Sequence, residues 1–345
     1  MGDAHQRVVT VLRRLAEGSP LGEQAVAAAF DAIMEGQATP AQVGALLLGL
    51  RMRGEDADEI VGVARALRGA MIRVPVPDGV NAIDTCGTGG GSVPTFNIST
   101  AAALVVAGAG ARVAKHGNRS HTSRCGSADV LEALDVPVAR DASEARRQFD
   151  DAGVAFLFAP TFHPAMRFVA AVRRELGVPT VMNVVGPLAN PAGVRRQVVG
   201  VADPRIGLAM ATALGRLGSE HAVVVFGEPG LDEVSPAGRT RIWETRGGSA
   251  TEQVIEPEDL GVTRVERLGS LAGGEPEQNA ARLEQLLRHP DRDPAGSAAV
   301  LLNAGLGLYV AGVVPTPREG VESARASLHE GAGGRVLDAL RASLR

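Results

Sequence analysis

The spacing of apolar residues along the chain changes once, near residue 74. Before that point apolar residues recur every three or four positions, which predicts amphipathic helices. Helix starts are indicated by Ser19-Pro20, by the capping box Thr39-Pro40-Ala41-Gln42 and by the segment from Asp56 to Glu59. We therefore predict a helical domain of four short helices over residues 1–73. Because so small a bundle has little room for its own core, we expect it to pack on a second domain or subunit.

Residues 74–80, VPVPDGV, predict a hinge because they contain two prolines and a glycine. Over residues 81–345 short apolar runs alternate with alanine-rich helical patterns. This alternation predicts an α/β fold with a mostly parallel central sheet covered by helices. The predicted strands are 82–85, 112–114, 155–158, 180–183, 197–201 and 222–226. The predicted helices are 99–109, 127–134, 142–152, 165–176 and 205–217. Ligands of such sheets bind beyond the carboxyl ends of the strands, so the loops there are the candidates for function.

Composition argues against several classes of protein. The chain of 345 residues is 45% hydrophobic and 21% charged, which is typical of a globular protein. A net charge of −4 and only ten aromatic residues argue against nucleic-acid binding. Cys86 and Cys125 lack CxxC spacing, so we expect buried or inert thiols and neither a disulfide framework nor a metal cluster.

Residues 295–315 form an uncharged stretch that is long enough to cross a membrane. The stretch is weakly apolar and contains Asn303 and four glycines, so we interpret it as a helix buried inside the α/β domain. The N-terminal residues lack the apolar core of a signal peptide. We expect a soluble, cytoplasmic protein without a membrane partner.

The first candidate loop is DTCGTGGGSVPTFNIST, residues 84–100. Gly87, Gly89, Gly90 and Gly91 follow a predicted strand, and the segment from Asn97 opens a helix. A glycine-rich loop before a helix N-terminus presents backbone N–H groups that bind anions. The pattern matches neither GxGxxG nor a P-loop, and glycine turns before helices are common, so this signal alone is moderate.

The second candidate loop begins at Lys115, the single lysine among 35 basic residues. One lysine in an arginine-rich chain indicates a site that needs a compact ammonium, although most lysines are merely solvated surface residues. Lys115 is followed by HGNRSHTSRCGS, a run of small hydrogen-bonding residues and cations. A loop of this composition can bind a polyanion, because its N–H groups and hydroxyls can surround phosphate oxygens.

The third candidate loop is GEPGLDEVSP, residues 227–236. Adjacent Asp232 and Glu233 suit Mg²⁺, which binds carboxylates together with substrate phosphates. Without the phosphate loops, a solvated acidic pair would be the better interpretation. His163 precedes Pro164 at a helix start, where packing or capping explains it, and Arg173 by itself would be taken for a surface charge.

Taken together, these motifs resemble the anthranilate phosphoribosyltransferases. The matching stretches are GTGG with FNIST at 96–100, KHGNRS…SRCGSADVLEAL at 115–134, HPAMRFVAAVRRELG at 163–177, NVVGPLANPA at 183–192 and GLDEVS at 230–235. KHGNR with GSAD is quite specific, whereas GTGG alone is not. The resemblance implies a small helical domain, joined by the 165–190 segment and hinged to a large α/β domain, usually in a homodimer through the helical parts.

The resemblance also implies a reaction and its residues. The reaction transfers 5-phosphoribosyl from its 1-diphosphate (PRPP) to the amino group of anthranilate, releases pyrophosphate, uses Mg²⁺ and belongs to tryptophan biosynthesis. PRPP would contact Gly87, Gly90, Gly91, Thr95, Asn97, Ile98, Ser99, Thr100, Lys115, His116, Gly117, Asn118, Arg119, Ser120, His121, Thr122, Ser123 and Ser127. Anthranilate would contact Gly87, Asn118, His163 and Arg173, Mg²⁺ would be held by Ser99, Asp232 and Glu233, and the catalytic residues would be Lys115, Asn118 and Arg173.

Two positions depart from the family pattern. The family usually has GTGGD, whereas residue 91 is glycine here, and His121-Thr122 replaces a small or apolar residue followed by serine. These departures leave open a transferase of the same fold that acts on another aromatic acid or base. A third possibility, a non-catalytic relative that binds nucleic acid, is disfavoured by the acidic balance and by the intact KHGNRS and LDE segments.

Overall fold

The structure is a computed structural model that describes residues 3–77, 80–120 and 124–344. Four helices come first: α1 (Asp3–Ala16), α2 (Glu23–Met34), α3 (Pro40–Arg53) and α4 (Ala57–Ala70). The strands are β1 (Ala82–Gly87), β2 (Arg112–Gly117), β3 (Val154–Phe158), β4 (Arg196–Gly200), β5 (His221–Gly227), β6 (Thr240–Arg246) and β7 (Ser249–Ile255). The later helices are α5 (Ile98–Gly108), α6 (Ser127–Ala133), α7 (Ala142–Ala152), α8 (Ala159–Phe162), α9 (Arg167–Leu176), α10 (Val181–Val185), α11 (Gly207–Arg216), α12 (Pro276–Arg288), α13 (Pro294–Ala311), α14 (Pro317–His329) and α15 (Ala332–Ala342).

Both predicted capping boxes of the helical region are confirmed. The Thr39 hydroxyl accepts a hydrogen bond from Gln42 N at 3.3 Å, and the Asp56 carboxylate accepts one from Glu59 N at 2.9 Å. The predicted helix start at Ser19-Pro20 is wrong, since α2 begins at Glu23. The cause is Gly22, whose φ of 75° interrupts the helical path just before α2.

The helical bundle shares its core with the rest of the chain. Apolar side chains of α1, α3 and α4 belong to one cluster with α9, α10, α11 and one face of the sheet, as Val8, Leu46, Val169 and Val199 illustrate. α9 lies against α3, and α10 lies against α4, so the 165–190 segment packs on the bundle. Of the hinge residues 74–80, only 78 and 79 lie outside the described residues.

The strands form one sheet in the order β3-β2-β1-β4-β5-β6-β7. β1 to β5 pair in parallel, whereas β6 and β7 pair antiparallel at one edge. The predicted α/β class with a mostly parallel sheet is confirmed. From β1 the chain builds outward to β2 and β3, and it then returns to add β4 and β5 on the other side of β1. The β1–β4 pair is therefore the topological switch point, where open α/β sheets bind ligands.

Two expectations about the sheet are corrected. Residues 180–183 do not form a strand: Thr180 is the N-cap of α10 and residues 181–183 begin that helix, with Asn183 Oδ1 accepting from Thr180 N at 3.0 Å. Periodicity cannot distinguish a helix from a strand in so short an apolar run. The hairpin β6–β7 is missing from the predicted strands, although its turn, Gly247-Gly248, has the positive φ angles of 67° and 101° that favour a two-residue hairpin loop.

The apolar stretch near residue 300 forms α13, which is a core helix. It is the one helix of the described residues long and apolar enough to cross a membrane, and 72% of it is buried inside the protein. α13 packs on α5 and α14 and runs beneath β1 and β4. Cys86 and Cys125 form no disulfide, and burial raises the pKa of both thiols, that of Cys125 to about 11.

Candidate active site

The ends of β1 and β4 lie side by side at the switch point, where Gly87 pairs with Gly200. The chain that follows β5 crosses both ends. A Cβ atom at Gly200 would lie 1.7 Å from the carbonyl oxygen of Asp232, and one at Gly87 would lie 2.7 Å from Asp232 Oδ2. Any side chain at either position would displace Asp232, so the two glycines allow the acidic segment to reach the floor of the cleft.

The acidic pair contacts the loop between β1 and α5. Asp232 Oδ2 accepts a hydrogen bond from Gly89 N at 3.0 Å, and Glu233 Oε1 accepts one from Ser99 N at 3.1 Å. Burial raises the pKa of both carboxyls, and for Glu233 the neighbouring Asp232 charge adds to the rise. Both groups therefore retain protons at a higher pH than exposed carboxyls do.

Lys115 reaches into the same place from β2. Its side chain is only 3% exposed, and Nζ donates hydrogen bonds to the Thr85 carbonyl and to Ser99 Oγ, the second at 3.2 Å. Ser99 consequently joins the ammonium to the acidic pair, because its hydroxyl contacts Lys115 while its N–H contacts Glu233. The structure thus brings together four residues that the sequence analysis assigned to two different ligands.

The predicted PRPP residues lie on three neighbouring segments. These are the end of β1 with the loop before α5 (Gly87, Gly90, Gly91, Thr95 and Asn97), the first turn of α5 (Ile98, Ser99 and Thr100), and β2 with the following loop and the start of α6 (Lys115, His116, Gly117, Asn118, Arg119, Ser120 and Ser127). Residues His121, Thr122 and Ser123 lie outside the described residues.

The loop before α5 is held by side chains from distant segments. Gly89 and Gly90 have φ angles of 68° and 82°, a region that favours glycine. Asn97 is the N-cap residue of α5, but its side chain makes no capping hydrogen bond. Instead, Asn97 Oδ1 accepts from Asn279 Nδ2 at 3.0 Å, and Asn97 Nδ2 donates to the Cys125 carbonyl at 3.2 Å. The Asn97 amide therefore joins the first candidate loop, residues 84–100, to α12 and to the second candidate loop, which begins at Lys115.

Two residues of the predicted PRPP set, Ile98 and Arg119, have little freedom to contact a ligand, and a third, Gly91, could not be replaced by a larger residue without crowding. The Ile98 side chain is fully buried in the core, so only its backbone could do so. Arg119 forms ion pairs with Asp129 and Glu132, which engage its guanidinium on α6. A Cβ atom at Gly91 would lie 3.1 Å from Asp232 Oδ1, so the aspartate that the family usually has here would crowd the acidic pair.

His116 and His163 form a buried pair whose ring centroids are 5.0 Å apart. Burial lowers the pKa of His116 to about 3 and that of His163 to about 4, so both rings are neutral near pH 7. Within the described part of the chain, His116 Nε2 has no hydrogen-bond partner, whereas the His163 ring faces the backbone of Ala189. A buried nitrogen such as His116 Nε2 indicates a place for a ligand or a water molecule.

Arg173 lies on α9, beside the helical bundle. Its Nη2 donates to Asn183 Oδ1 at 3.4 Å, and burial lowers its pKa. No carboxylate of the described residues forms an ion pair with it. A partly buried guanidinium without a carboxylate partner can bind the carboxylate of a ligand.

The donor atoms of Ser99, Asp232 and Glu233 fit Mg²⁺, since all are oxygens and two are carboxylates. The described residues contain no group of three or more His, Cys, Asp and Glu side chains that could hold a metal ion. A site with two carboxylates is nevertheless typical of magnesium that completes its coordination with substrate phosphates and water.

Three polar residues of the cleft lie outside the predicted set. Asp84 is fully buried, accepts from His116 N at 3.2 Å and from Asn190 Nδ2 at 2.8 Å, and has a pKa raised by burial to about 6. An aspartate inside a predicted strand is a signal that could have revealed it. Asn190 and Asn279 carry no such signal, because their partners are 106 and 182 residues away.

Comparison with known proteins defines the class. Residues 79–333 match the glycosyl transferase family, a/b domain, and residues 9–71 match the glycosyl transferase family, helical bundle domain. The fold and the cleft are therefore those of a two-domain glycosyl transferase.

Individual relatives narrow the class. The anthranilate phosphoribosyltransferase of Rubrobacter xylanophilus is 49% identical over 95% of this chain and 94% of that protein. The crystal structure of the Thermus thermophilus enzyme has a TM-score of 0.91 and 42% identity, covering 97% of this chain and 99% of that one. The Saccharomyces cerevisiae enzyme in complex with PRPP and Mg has a TM-score of 0.87 and 28% identity, covering 98% of both chains. The chain belongs to the anthranilate phosphoribosyltransferase family.

We predict that Glu233→Gln changes how stability depends on pH in metal-free buffer. Because the pKa of Glu233 is raised in the folded protein, this group binds more protons in the folded state than in the unfolded state, and its contribution to wild-type stability falls as pH rises from about 5 to about 8. The variant lacks this titration, so its thermal midpoint should rise relative to wild type over that range. The exposed Glu228→Gln serves as the control. Parallel pH profiles for wild type and Glu233→Gln would contradict the assignment.

Proposed function

We propose that the protein transfers the 5-phosphoribosyl group of PRPP to the amino group of anthranilate, with Mg²⁺, as a step of tryptophan biosynthesis. The observation that carries this proposal is the Lys115–Ser99–Glu233 chain of contacts at the switch point. It places a buried ammonium and a carboxylate pair side by side at the ends of β1 and β4, which suits a diphosphate and its magnesium ion. The relatives named above support the same reaction.

The PRPP side would be the α/β half of the cleft. We infer that Gly87 and Gly90 with the N-terminus of α5 present backbone N–H groups to the phosphates. Lys115 supplies the ammonium, and Asn118 with Ser127 supplies hydrogen bonds from the second loop. When bound, Mg²⁺ neutralises charge on the diphosphate that leaves. Ser99, Asp232 and Glu233 would hold it.

The anthranilate side would lie between β2 and α9. The Arg173 guanidinium would pair with the anthranilate carboxylate, because it has no carboxylate partner among the described residues. The neutral His163 and His116 rings would contact the aromatic acid without adding charge. A cation at one end and uncharged rings beside it suit an aromatic carboxylate.

In the reaction the bond between ribose C1 and the diphosphate oxygen breaks, and the oxygen keeps the electron pair. The amine nitrogen forms a bond to C1 and loses a proton. An aromatic amine needs no deprotonation before it attacks, so the protein needs to position the two substrates and to stabilise the charge on the leaving group. Lys115 is a buried cation, fixed by its hydrogen bonds to Thr85 and Ser99, and it is placed to do so.

Lys115→Met tests the phosphate role. With anthranilate, PRPP and Mg²⁺, the loss of anthranilate fluorescence should report turnover by the wild type. The variant should lose about a hundredfold or more of kcat/KM for PRPP, the scale of a lost electrostatic stabiliser. Lys115→Arg should also fail, because a planar guanidinium does not fit a buried site built for an ammonium. Near-normal kcat/KM for PRPP in Lys115→Met would refute this role.

Asp232→Asn combined with Glu233→Gln tests the metal site. The Mg²⁺ concentration for half-maximal activity should rise at least about tenfold, since carboxylates are the charged ligands of the ion. Glu228→Gln, an exposed carboxylate of the same loop, should leave the titration unchanged. An unchanged titration in the double variant would show that the metal binds elsewhere. Competing aromatic acids in the same assay would reveal an acceptor other than anthranilate.

We further propose a cytoplasmic homodimer that forms through the helical domain. α3 presents Ala41, Ala45, Leu48 and Met52 on one exposed face, and the side chains of Leu48 and Met52 are 38% and 80% exposed. A second copy of the chain would cover this apolar stripe, which is unusual on the surface of a monomer.

Leu48→Asp combined with Met52→Asp should convert the dimer into a monomer, because charges would be buried without partners. Analytical ultracentrifugation measures the mass. The matched control is Leu208→Asp, which changes a leucine 50% exposed on α11 of the α/β domain. A dimer that survives the double substitution would contradict this interface, and a monomeric wild type would contradict the proposal itself.

A further inference from the structure

Asn303 is a buried amide in the middle of a long apolar helix. It lies on α13 and is 4% exposed. Its Oδ1 accepts a hydrogen bond from Val234 N at 2.9 Å, and its Nδ2 donates to Val234 O at 3.2 Å and to Ala299 O at 2.9 Å. The amide therefore satisfies both backbone groups of one residue 69 positions away.

We propose that Asn303 is a positioning residue for the acidic pair, an inference that rests on the proposed function. Val234 directly follows Glu233, and a bond to each backbone group of Val234 fixes the peptide planes on both sides of that residue. The other end of the pair is fixed by Gly89 N on Asp232 and by the contact of Asp232 with Gly200. Asn303, on a helix beneath the sheet, thus holds the backbone on the other side of the acidic pair in place.

A purely structural role for Asn303 is the alternative. Burying an amide in an apolar helix costs free energy that leucine would not cost, and the hydrogen bonds only offset this cost. What distinguishes the two roles is the location of the partners, since all of Asn303's long-range bonds go to the residue that follows Glu233. Asn303 also lines a cavity of about 10 Å³ together with Ser99 and Glu233.

The experiment compares Asn303→Leu and Asn303→Ala with Ser297→Ala. Ser297 lies on the same helix, is also buried, and donates through Oγ to the Pro290 carbonyl at 2.8 Å, remote from the acidic pair. Each variant is examined by the thermal midpoint, by hydrogen exchange over residues 227–236, and by calorimetric titration of Mg²⁺ in the presence of pyrophosphate. KM for PRPP, KM for anthranilate and the Mg²⁺ dependence of kcat complete the comparison.

Both Asn303 variants should exchange faster at Val234 and bind Mg²⁺ at least about fivefold more weakly, while KM for anthranilate stays within about twofold, the scale of one or two lost hydrogen bonds. Ser297→Ala should lower the thermal midpoint without changing Mg²⁺ binding. Unchanged Mg²⁺ binding in folded Asn303→Ala overturns the positioning role, and so does an equal weakening in Ser297→Ala. A wild type that consumes no anthranilate with PRPP refutes the proposed function, whereas the exchange at Val234 still reports on the Asn303 contact.

Discussion

The approach of Asp232 to the ends of β1 and β4 is the contact on which the cleft depends. Two paired glycines leave no side chain there, so the segment after β5 can descend onto the sheet until a backbone oxygen of Asp232 occupies the place of a Cβ at Gly200. From that position the two carboxylates meet Gly89 N and Ser99 N. These contacts fix the ends of β1, β4 and β5 and the start of α5 relative to one another, so none of the four can shift without moving the other three.

The electrostatics of the floor follow from this crowding. Asp84 and Glu233 interact with the ammonium of Lys115, Asp232 adjoins Glu233 in the chain, and burial raises the pKa of all three carboxyls. Before a ligand binds, protons are the available positive charge that can compensate the excess of carboxylates. A divalent cation that arrives with a diphosphate would replace those protons, so metal binding and proton release would be coupled. The positive charge of Lys115 makes the net charge of this group of buried side chains less negative.

Local signals predicted a large part of the structure. The capping boxes at Thr39 and Asp56, five of the six proposed strands and the buried nature of α13 depend on residues close together in the chain, and each was confirmed. The strand proposed at 180–183 failed because a segment of four residues is too short to show a helical or a strand period. The bond between Asn97 and Asn279 joins residues 182 apart, and no local pattern predicts such a contact.

The same distinction applies to the function. Lys115 was conspicuous because it is unique, whereas Arg173 is one of 34 arginines and gained a role only by resemblance. In the structure these two cations belong to different parts of the fold. Lys115 lies on β2 of the sheet, and Arg173 lies on α9, which packs on the helical bundle. The ring centroids of His116, on β2, and His163, which precedes α9, lie 5.0 Å apart. On the proposed function, the donor would be held by the sheet and the acceptor by the helices, so the alignment of the amine with ribose C1 would depend on how the bundle sits against the sheet rather than on any single side chain.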